Sequence, residues 1–200
     1  EIAVRRFQGL KSSGGPAVLV VLYGNREYED ALLELSDLVS ASGFTPVAGG
    51  AFVGEHSFST ASVPLAKGRP DADDLRAARA FGESIAKWME GVRDIRGVLP
   101  ARLPGNRPFR EHPRLPAVSP TTEELRCTAC GACAAACPTA SIVVGAKAET
   151  DAATCILCCA CVRACPEDAR SLKDPRIAQI VEWLSSITAA RKEPERFLAP

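Results

Sequence analysis

Cys127-Thr-Ala-Cys130-Gly-Ala-Cys133-Ala-Ala-Ala-Cys137-Pro138 and Cys155-Ile-Leu-Cys158-Cys159-Ala-Cys161-Val-Arg-Ala-Cys165-Pro166 are two versions of one pattern. Both have the spacing C-x2-C-x2-C-x3-C-P, and the second follows the first at a constant offset of 28 residues. Eight thiolates so arranged are what two [4Fe–4S] clusters require. Three closely spaced cysteines on a tight loop hold three corners of one cluster. The fourth, just before proline, is carried away from that loop and reaches the other. The spacing therefore predicts one cluster on Cys127, Cys130, Cys133 and Cys165, and a second on Cys155, Cys158, Cys161 and Cys137. On this reading the sites are interdependent, and losing Cys137 damages the cluster whose other ligands lie downstream.

Two other cysteine chemistries compete and fit less well. Zinc sites pair C-x2-C units across a longer spacer, usually with histidine mixed in, and this segment has no histidine. Disulfides call for an oxidising compartment, and no secretory signal is visible. The ninth cysteine, Cys159, falls outside the ligand set. It stands where the first run has Gly131, a position where a small residue lets the backbone approach a cluster, and it reads as a buried, inert thiol.

The chain has 200 residues, and a 46% hydrophobic content is enough for a real core. Lys plus Arg and Asp plus Glu both number 24, so charge points to neither nucleic acid nor an anionic membrane as partner. The longest apolar run, Ala17 to Tyr23, is far too short to span a bilayer. A reducing cytoplasm is the expected location. The chain begins at Glu1, not methionine.

From the start, Ala3, Phe7 and Leu10 have helical spacing, and Ser12 to Pro16 make a turn. Ala17 to Tyr23 is a continuous apolar run, expected to be a parallel strand buried on both faces. A helix follows with Tyr28, Ala31, Leu32, Leu35, Leu38 and Val39 along one stripe, and Gly43 suits its left-handed end. Phe44 to Val53 reads as a second strand, loosened by Pro46 and Gly49-Gly50. Asp71 is placed to cap a further helix, with Asp73 and Asp74 in its first turn and Leu75, Ala78, Gly82, Ile85 and Met89 on its apolar side. Strand–helix–strand–helix indicates an α/β layered domain. Two strands are too few for an independent sheet, so further strands are expected before Glu1 or elsewhere.

From Gly97 to Pro120, six prolines and Arg102, Arg107, Arg110 and Arg114 predict an extended connector with solvated arginines. Aromatic interleaving, which a nucleic-acid contact would use, is nearly absent there. Ser141 to Val144, Gly145, and Lys147 to Thr150 predict a short hairpin between the cysteine runs. The tail from Asp174-Pro175 predicts a helix with proline in its first turn and Ile177, Ile180, Val181, Leu184 and Ile187 on one stripe. The boundaries read as 1–96, a 97–120 linker, 121–173 for the cluster domain, and 174–200 for helix and tail.

The second half resembles bacterial two-cluster ferredoxins, matching at every ligand position. The first half carries Leu22-Tyr23-Gly24-Asn25-Arg26-Glu27-Tyr28-Glu29-Asp30-Ala31-Leu32, Ala51-Phe52-Val53-Gly54-Glu55-His56-Ser57 and Gly68-Arg69-Pro70-Asp71. With Arg191-Lys192-Glu193-Pro194-Glu195 in the tail, these are similar to the flavodoxin–ferredoxin fusion proteins of anaerobic bacteria (EFR-type ferredoxins). The resemblance implies the later part of a flavodoxin-like α/β domain with a parallel sheet, joined to a small α+β two-cluster ferredoxin domain. It implies FMN at the carboxyl ends of the strands, with Tyr23, Gly24, Asn25, Arg26 and Tyr28 as the loop facing the flavin. The hydroxyl-rich phosphate loop such a site needs is not in this chain, and Tyr23 and Tyr28 serve equally well as core and surface tyrosines. His56 follows a strand where ligands of α/β domains collect, but a hydrogen-bonded structural role is expected of it. His112 is assigned nothing.

The function that follows is electron transfer, with a redox protein as partner and FMN coupling in the complete protein. An electron carrier or oxidoreductase component is expected rather than a stand-alone enzyme. The alternatives are electron delivery to a flavin-dependent oxidoreductase site, or a regulatory or structural iron–sulfur protein with an empty flavodoxin-like module.

Overall fold

A computed structural model describes residues 2–7, 9–111 and 117–200. In chain order the elements are α1 (Ile2–Phe7), β1 (Pro16–Tyr23), α2 (Ala31–Ala41), β2 (Thr45–Val53), α3 (Ala72–Glu90), β3 (Thr121–Thr122), α4 (Ala132–Ala135), β4 (Ile142–Val144), β5 (Ala148–Thr150), α5 (Ala160–Arg163), β6 (Arg170–Ser171), α6 (Pro175–Ile187) and β7 (Glu195–Leu198). The chain forms two compact units that do not follow its order. One holds residues 1–56, 66–112 and 190–200; the other holds 57–65 and 113–189. His112, Pro113, Arg114 and Pro116 of the expected connector lie outside the described residues. Among the described residues, no helix is long and apolar enough to cross a membrane.

The first unit is built on a three-stranded sheet in the order β1-β2-β7. β1 and β2 run parallel, from Pro16 opposite Thr45 to Tyr23 opposite Val53, with an irregularity after Pro46 where Val47 is passed over. Proline cannot donate to the ladder, so a register break is tolerated beside it. On one face Leu19 and Ala51 pack under Leu32 and Val39 of α2. On the other, Ala48 and Phe52 of β2 meet Phe81 of α3, the two rings tilted with centroids 6.0 Å apart.

Several expectations need correction here. β1 is not buried on both faces: Val18, Val20 and Leu22 point outward, Leu22 being 74% exposed. The side facing α2 is covered, whereas α3 lies over β2 and leaves the same side of β1 open. The sheet is also not purely parallel, because the tail adds β7 antiparallel to β2, from Ala48 opposite Leu198 to Ala51 opposite Glu195. Of the expected α3 stripe Ile85 packs against Ala48, Phe52 and Phe81, but Leu75 is 60% exposed, and the buried Asp74 and Phe81 lie off that stripe. A buried ion pair and a large ring set the rotation of this helix. Its start is as expected, since the Asp71 carboxylate accepts from the Asp73 and Asp74 backbone N–H groups in a capping box.

The proline-rich stretch is not a free connector over its described length. The buried Asp30 carboxylate accepts from the backbone N–H of Asn106 at 2.8 Å and of Arg110 at 2.7 Å. Arg107 pairs with Asp37, and Arg110 pairs with Glu29. Both arginine side chains stay more than half exposed, as expected, while these contacts tie the stretch to the first unit.

The second unit has two small antiparallel sheets, β3 with β6 and β4 with β5, the latter being the expected hairpin. Its core joins Phe58 and Leu65 from the 57–65 segment to Val118, Leu157, Ile177 and Leu184. α6 starts where expected, its Asp174 carboxylate accepting from the Arg176 N–H at 2.9 Å with proline in the first turn. Ile177 and Leu184 of the expected stripe are buried, and Ile187 is half exposed.

Candidate metal centre

The residues of the expected flavin loop come together, but around the protein's own tail. The buried Asn25 side chain donates to Ala190 O at 2.8 Å and accepts from the Lys192 N–H at 3.0 Å. Its left-handed backbone, φ 65°, is a state that asparagine tolerates better than most residues. Arg26 pairs with Glu29 at 2.7 Å, and its carbonyl accepts from Lys192 Nζ at 2.6 Å. Tyr23 and Tyr28 meet edge to face with centroids 5.3 Å apart. Burial, then a hydrogen bond to Glu195 and nearby carboxylates, raises the Tyr28 pKa; burial is also the main cause raising that of Tyr23. Gly24 lies against His56 so closely that a Cβ there would stand 2.2 Å from the imidazole. Asn25, Arg26 and Tyr28 thus all make contacts within the chain, and Asn25 and the Arg26 carbonyl clamp the tail.

The same tail meets an ion pair that the sequence reading missed. Arg69 and Asp74, with side chains 7% and 1% exposed, form a two-point contact. Arg69 also donates to Lys192 O at 3.0 Å, and Arg191 donates to Asp71 at 2.6 Å. The Arg69 hydrogen bond holds the Asp74 carboxyl below its ordinary value, and Arg191 draws that of Asp71 down to about 2.

In the cysteine segment the repeat extends from sequence to backbone. Gly131 and Cys159 both take left-handed torsions, φ 80° and 54°, immediately before α4 and α5. Ala129 and Leu157 match at 54° and 56°, and Ala140 and Asp168 at 52° and 47°. Consecutive turns of this kind aim backbone N–H groups into a common concavity, which suits anionic sulfur. Cys137 Sγ accepts from the Ser141 N–H at 3.3 Å, and Cys165 Sγ from the Ala169 N–H at 3.2 Å. Strand pairing crosses the repeats in matched register: Thr122 faces Arg170 as Thr150 faces Ile142.

That crossing distributes the thiols over two cavities. One is lined by Cys127, Cys130, Cys133 and Cys165. The other is lined by Cys137, Cys155, Cys158, Cys159 and Cys161. Each cavity thus takes the last cysteine of the other run, and the second also has Cys159. All nine are free thiols. Among the described residues, no three His, Cys, Asp or Glu side chains converge closely enough to hold a single metal ion; the cysteines line the two cavities.

The thiols differ in setting. Backbone N–H groups of Ala129 and Ala148, with Arg170 contributing, hold Cys127 below its ordinary pKa. At Cys137, burial works against ionisation but is outweighed by hydrogen bonds from Thr139 and Ser141, so the net direction is down. Burial pushes Cys133 and Cys155 up. Cys159 is pushed up to about 12, by burial first and then by neighbouring thiols, and its Sγ–H points to Leu157 O at 3.7 Å. That is the environment of an inert thiol.

The residue most clearly missed from sequence is Arg170, 3% exposed. Its guanidinium donates to Thr122 Oγ1 at 2.5 Å, to Ala148 O at 3.3 Å and to Thr150 Oγ1. It reaches Cys161 Sγ at 3.8 Å, lines the Cys127 cavity, and leaves its buried Nε–H without a partner. The signal was the repeat itself, which puts Ile142 at the equivalent place. The cysteines lining both cavities, the backbone donors at sulfur and a buried Nε–H unpaired among the described residues fit iron–sulfur ligation.

Comparison with known proteins agrees with this part of the chain. No curated protein matches it significantly. A family model described as "4Fe-4S dicluster domain" matches residues 119–179, which supports the ferredoxin-like character of that stretch and iron–sulfur electron transfer as its work.

Proposed function

We propose that this protein carries electrons through two [4Fe–4S] clusters bound crosswise, one by Cys127, Cys130, Cys133 and Cys165, the other by Cys137, Cys155, Cys158 and Cys161. The observation that carries the reading is the pair of cavities, in which the last cysteine of each run lines the cavity of the other run's first cysteines, with Cys159 also lining the second. When bound, each cluster takes up and gives up one electron at a time. The chain's own residues ligate, insulate and orient. The Ser141 and Ala169 N–H groups hold the sulfurs of the two crossing cysteines, and the turns at Gly131 and Cys159 let the backbone lie close. Ile142, Ala148 and the ligands Cys133 and Cys161 form a buried cluster of their own, which keeps water from the space between the sites. Cys130 is exposed, so the site it serves has an edge at the surface for a redox partner protein.

Coupling to FMN in the first unit is the extension implied by the flavodoxin resemblance. Because Asn25, Arg26 and Tyr28 are engaged by the tail and by Glu29, no step is routed through a flavin here. Oxygen-free purification with iron, sulfide and flavin analysis, followed by EPR after dithionite, tests the whole reading. About eight iron atoms per chain are expected from two clusters; a colourless protein holding only zinc would end it.

A further inference from the structure

The 28-residue repeat makes residues 142 and 170 equivalent, and they differ in kind. Ile142 is buried and apolar, as a residue between two clusters is expected to be. Arg170 is buried and charged, 3% exposed. Burying a guanidinium is costly unless its donors are met, and here the match is incomplete. Four contacts hold the two terminal nitrogens: Thr122 Oγ1, Ala148 O, Thr150 Oγ1 and Cys161 Sγ. Thr122 and Thr150 are themselves repeat equivalents, so the guanidinium spans the crossing of the repeats. The Nε–H has no partner among the described residues, and the residue lines the Cys127 cavity. Ile142, its counterpart, lines the other cavity.

We propose that Arg170 makes the two clusters inequivalent, its Nε–H and charge favouring the reduced form of the cluster on Cys127, Cys130, Cys133 and Cys165 over that of its neighbour. This rests on the two-cluster reading above. Reduction adds one negative charge to a cluster and makes or breaks no bond. A fixed positive charge in a low-dielectric wall therefore stabilises the reduced state, and hydrogen bonds to cluster sulfur act in the same direction. Several groups weigh against the asymmetry, and each is weaker. Arg163 near Cys159 is exposed and screened by water, and Ser141 at Cys137 is a neutral donor. Thr139 Oγ1 lies 3.5 Å from Cys137 Sγ on the other side, but a neutral hydroxyl is about half as effective as a charged donor. The contact from Arg170 to Cys161 Sγ is long at 3.8 Å and is made by a nitrogen that also serves Thr150. Glu167 lines the Cys127 cavity, but it is exposed and screened by water. An electron entering the neighbouring cluster would then pass to the Cys127 site and rest there. Arg170 acts through the cluster environment, so it is a positioning and tuning residue.

The test is an EPR-monitored redox titration of the iron-loaded full chain, with dithionite as the one-electron donor. The wild type should be reduced in two separated steps. Arg170→Ile, which restores the symmetry with Ile142, and Arg170→Gln should lower the reduction equilibrium constant of the higher-potential step by tenfold or more, about 59 mV for a one-electron couple, and bring the steps together. Arg170→Lys should retain part of the separation. Unchanged separation in Ile and Gln variants of full iron content overturns the proposal, as does coincident reduction in the wild type. If both neutral variants lose iron, the Lys variant decides: a separation reduced but not abolished supports the proposal, and one equal to the wild type's or wholly lost overturns it. A wild type that binds no iron contradicts the cluster reading itself, which is a distinguishable failure.

Discussion

Gly131 and Cys159 hold the same backbone state at the same place in two repeats, with φ of 80° and 54°, each directly before a four-residue helix. Glycine takes that state freely, whereas a side-chain-bearing residue pays for it. Cys159 thus combines burial with a left-handed backbone, and the proposed ligand set leaves it out. Cys159→Gly and Cys159→Ala should keep the full iron content. Cys159→Val places a β-branched residue at positive φ, at a cost on the order of 1–3 kcal/mol, and should lower cluster retention. Iron analysis of the three variants checks this; iron loss in the Ala variant would make Cys159 a ligand.

Asp74 carries the electrostatics of the first unit. Its carboxyl is held down chiefly by the hydrogen bond from Arg69, so its folded pKa lies below its unfolded one. The stability it contributes is present above the ordinary carboxylate range near 4 and is lost as pH falls through the folded value. Asp71, drawn to about 2 by Arg191 first, acts in the same window. Acid unfolding followed by circular dichroism should therefore steepen below pH ~4. Asp74→Asn should flatten that dependence. Asp74→Ala removes the two-point partner of the buried Arg69, leaving it Asp71 at 3.8 Å and the Lys192 carbonyl, and should cost about 3 kcal/mol at neutral pH, the low end for a broken buried pair. A variant as stable as the wild type would show the pair to be unimportant.

The rotation of α3 is open to a direct comparison. Phe81, packed on Phe52, is 4% exposed, and Leu75 is 60% exposed. Phe81→Ala should destabilise by about 3–5 kcal/mol, whereas Leu75→Ala should stay within about 0.5 kcal/mol of wild type. Thermal or denaturant unfolding of the two variants measures both, and equal losses would put Leu75 in the core.

What was legible in the sequence was local. Ligand spacing, the 28-residue repeat, the β4–β5 hairpin and the caps at Asp71 and Asp174 are each set by residues within a few positions of one another. What was not legible depended on partners far along the chain. Glu195-Arg-Phe-Leu198 is too short and too charged to announce a strand; β7 forms because β2 offers a free edge. On α3, Leu75-Ala78-Gly82 and Asp74-Ala77-Phe81 are equally spaced stripes, and only Arg69 and Phe52 choose between them. The exposed side of β1 hid in a run whose composition suggested burial on both faces. Arg170 was passed over because a charged residue next to a cysteine run reads as surface until its pairing partners are seen.

The crosswise arrangement is tested most directly by the iron content of double variants purified without oxygen. Cys137→Ala with Cys158→Ala removes two ligands from one proposed site, so the account predicts that about four iron atoms remain. Cys137→Ala with Cys130→Ala removes one ligand from each site, although both residues belong to the same run, and should leave little or no iron. The reverse outcome, with the same-run double variant keeping its second cluster and the cross-run variant losing both, would mean that each run builds its own cluster, contradicting the account.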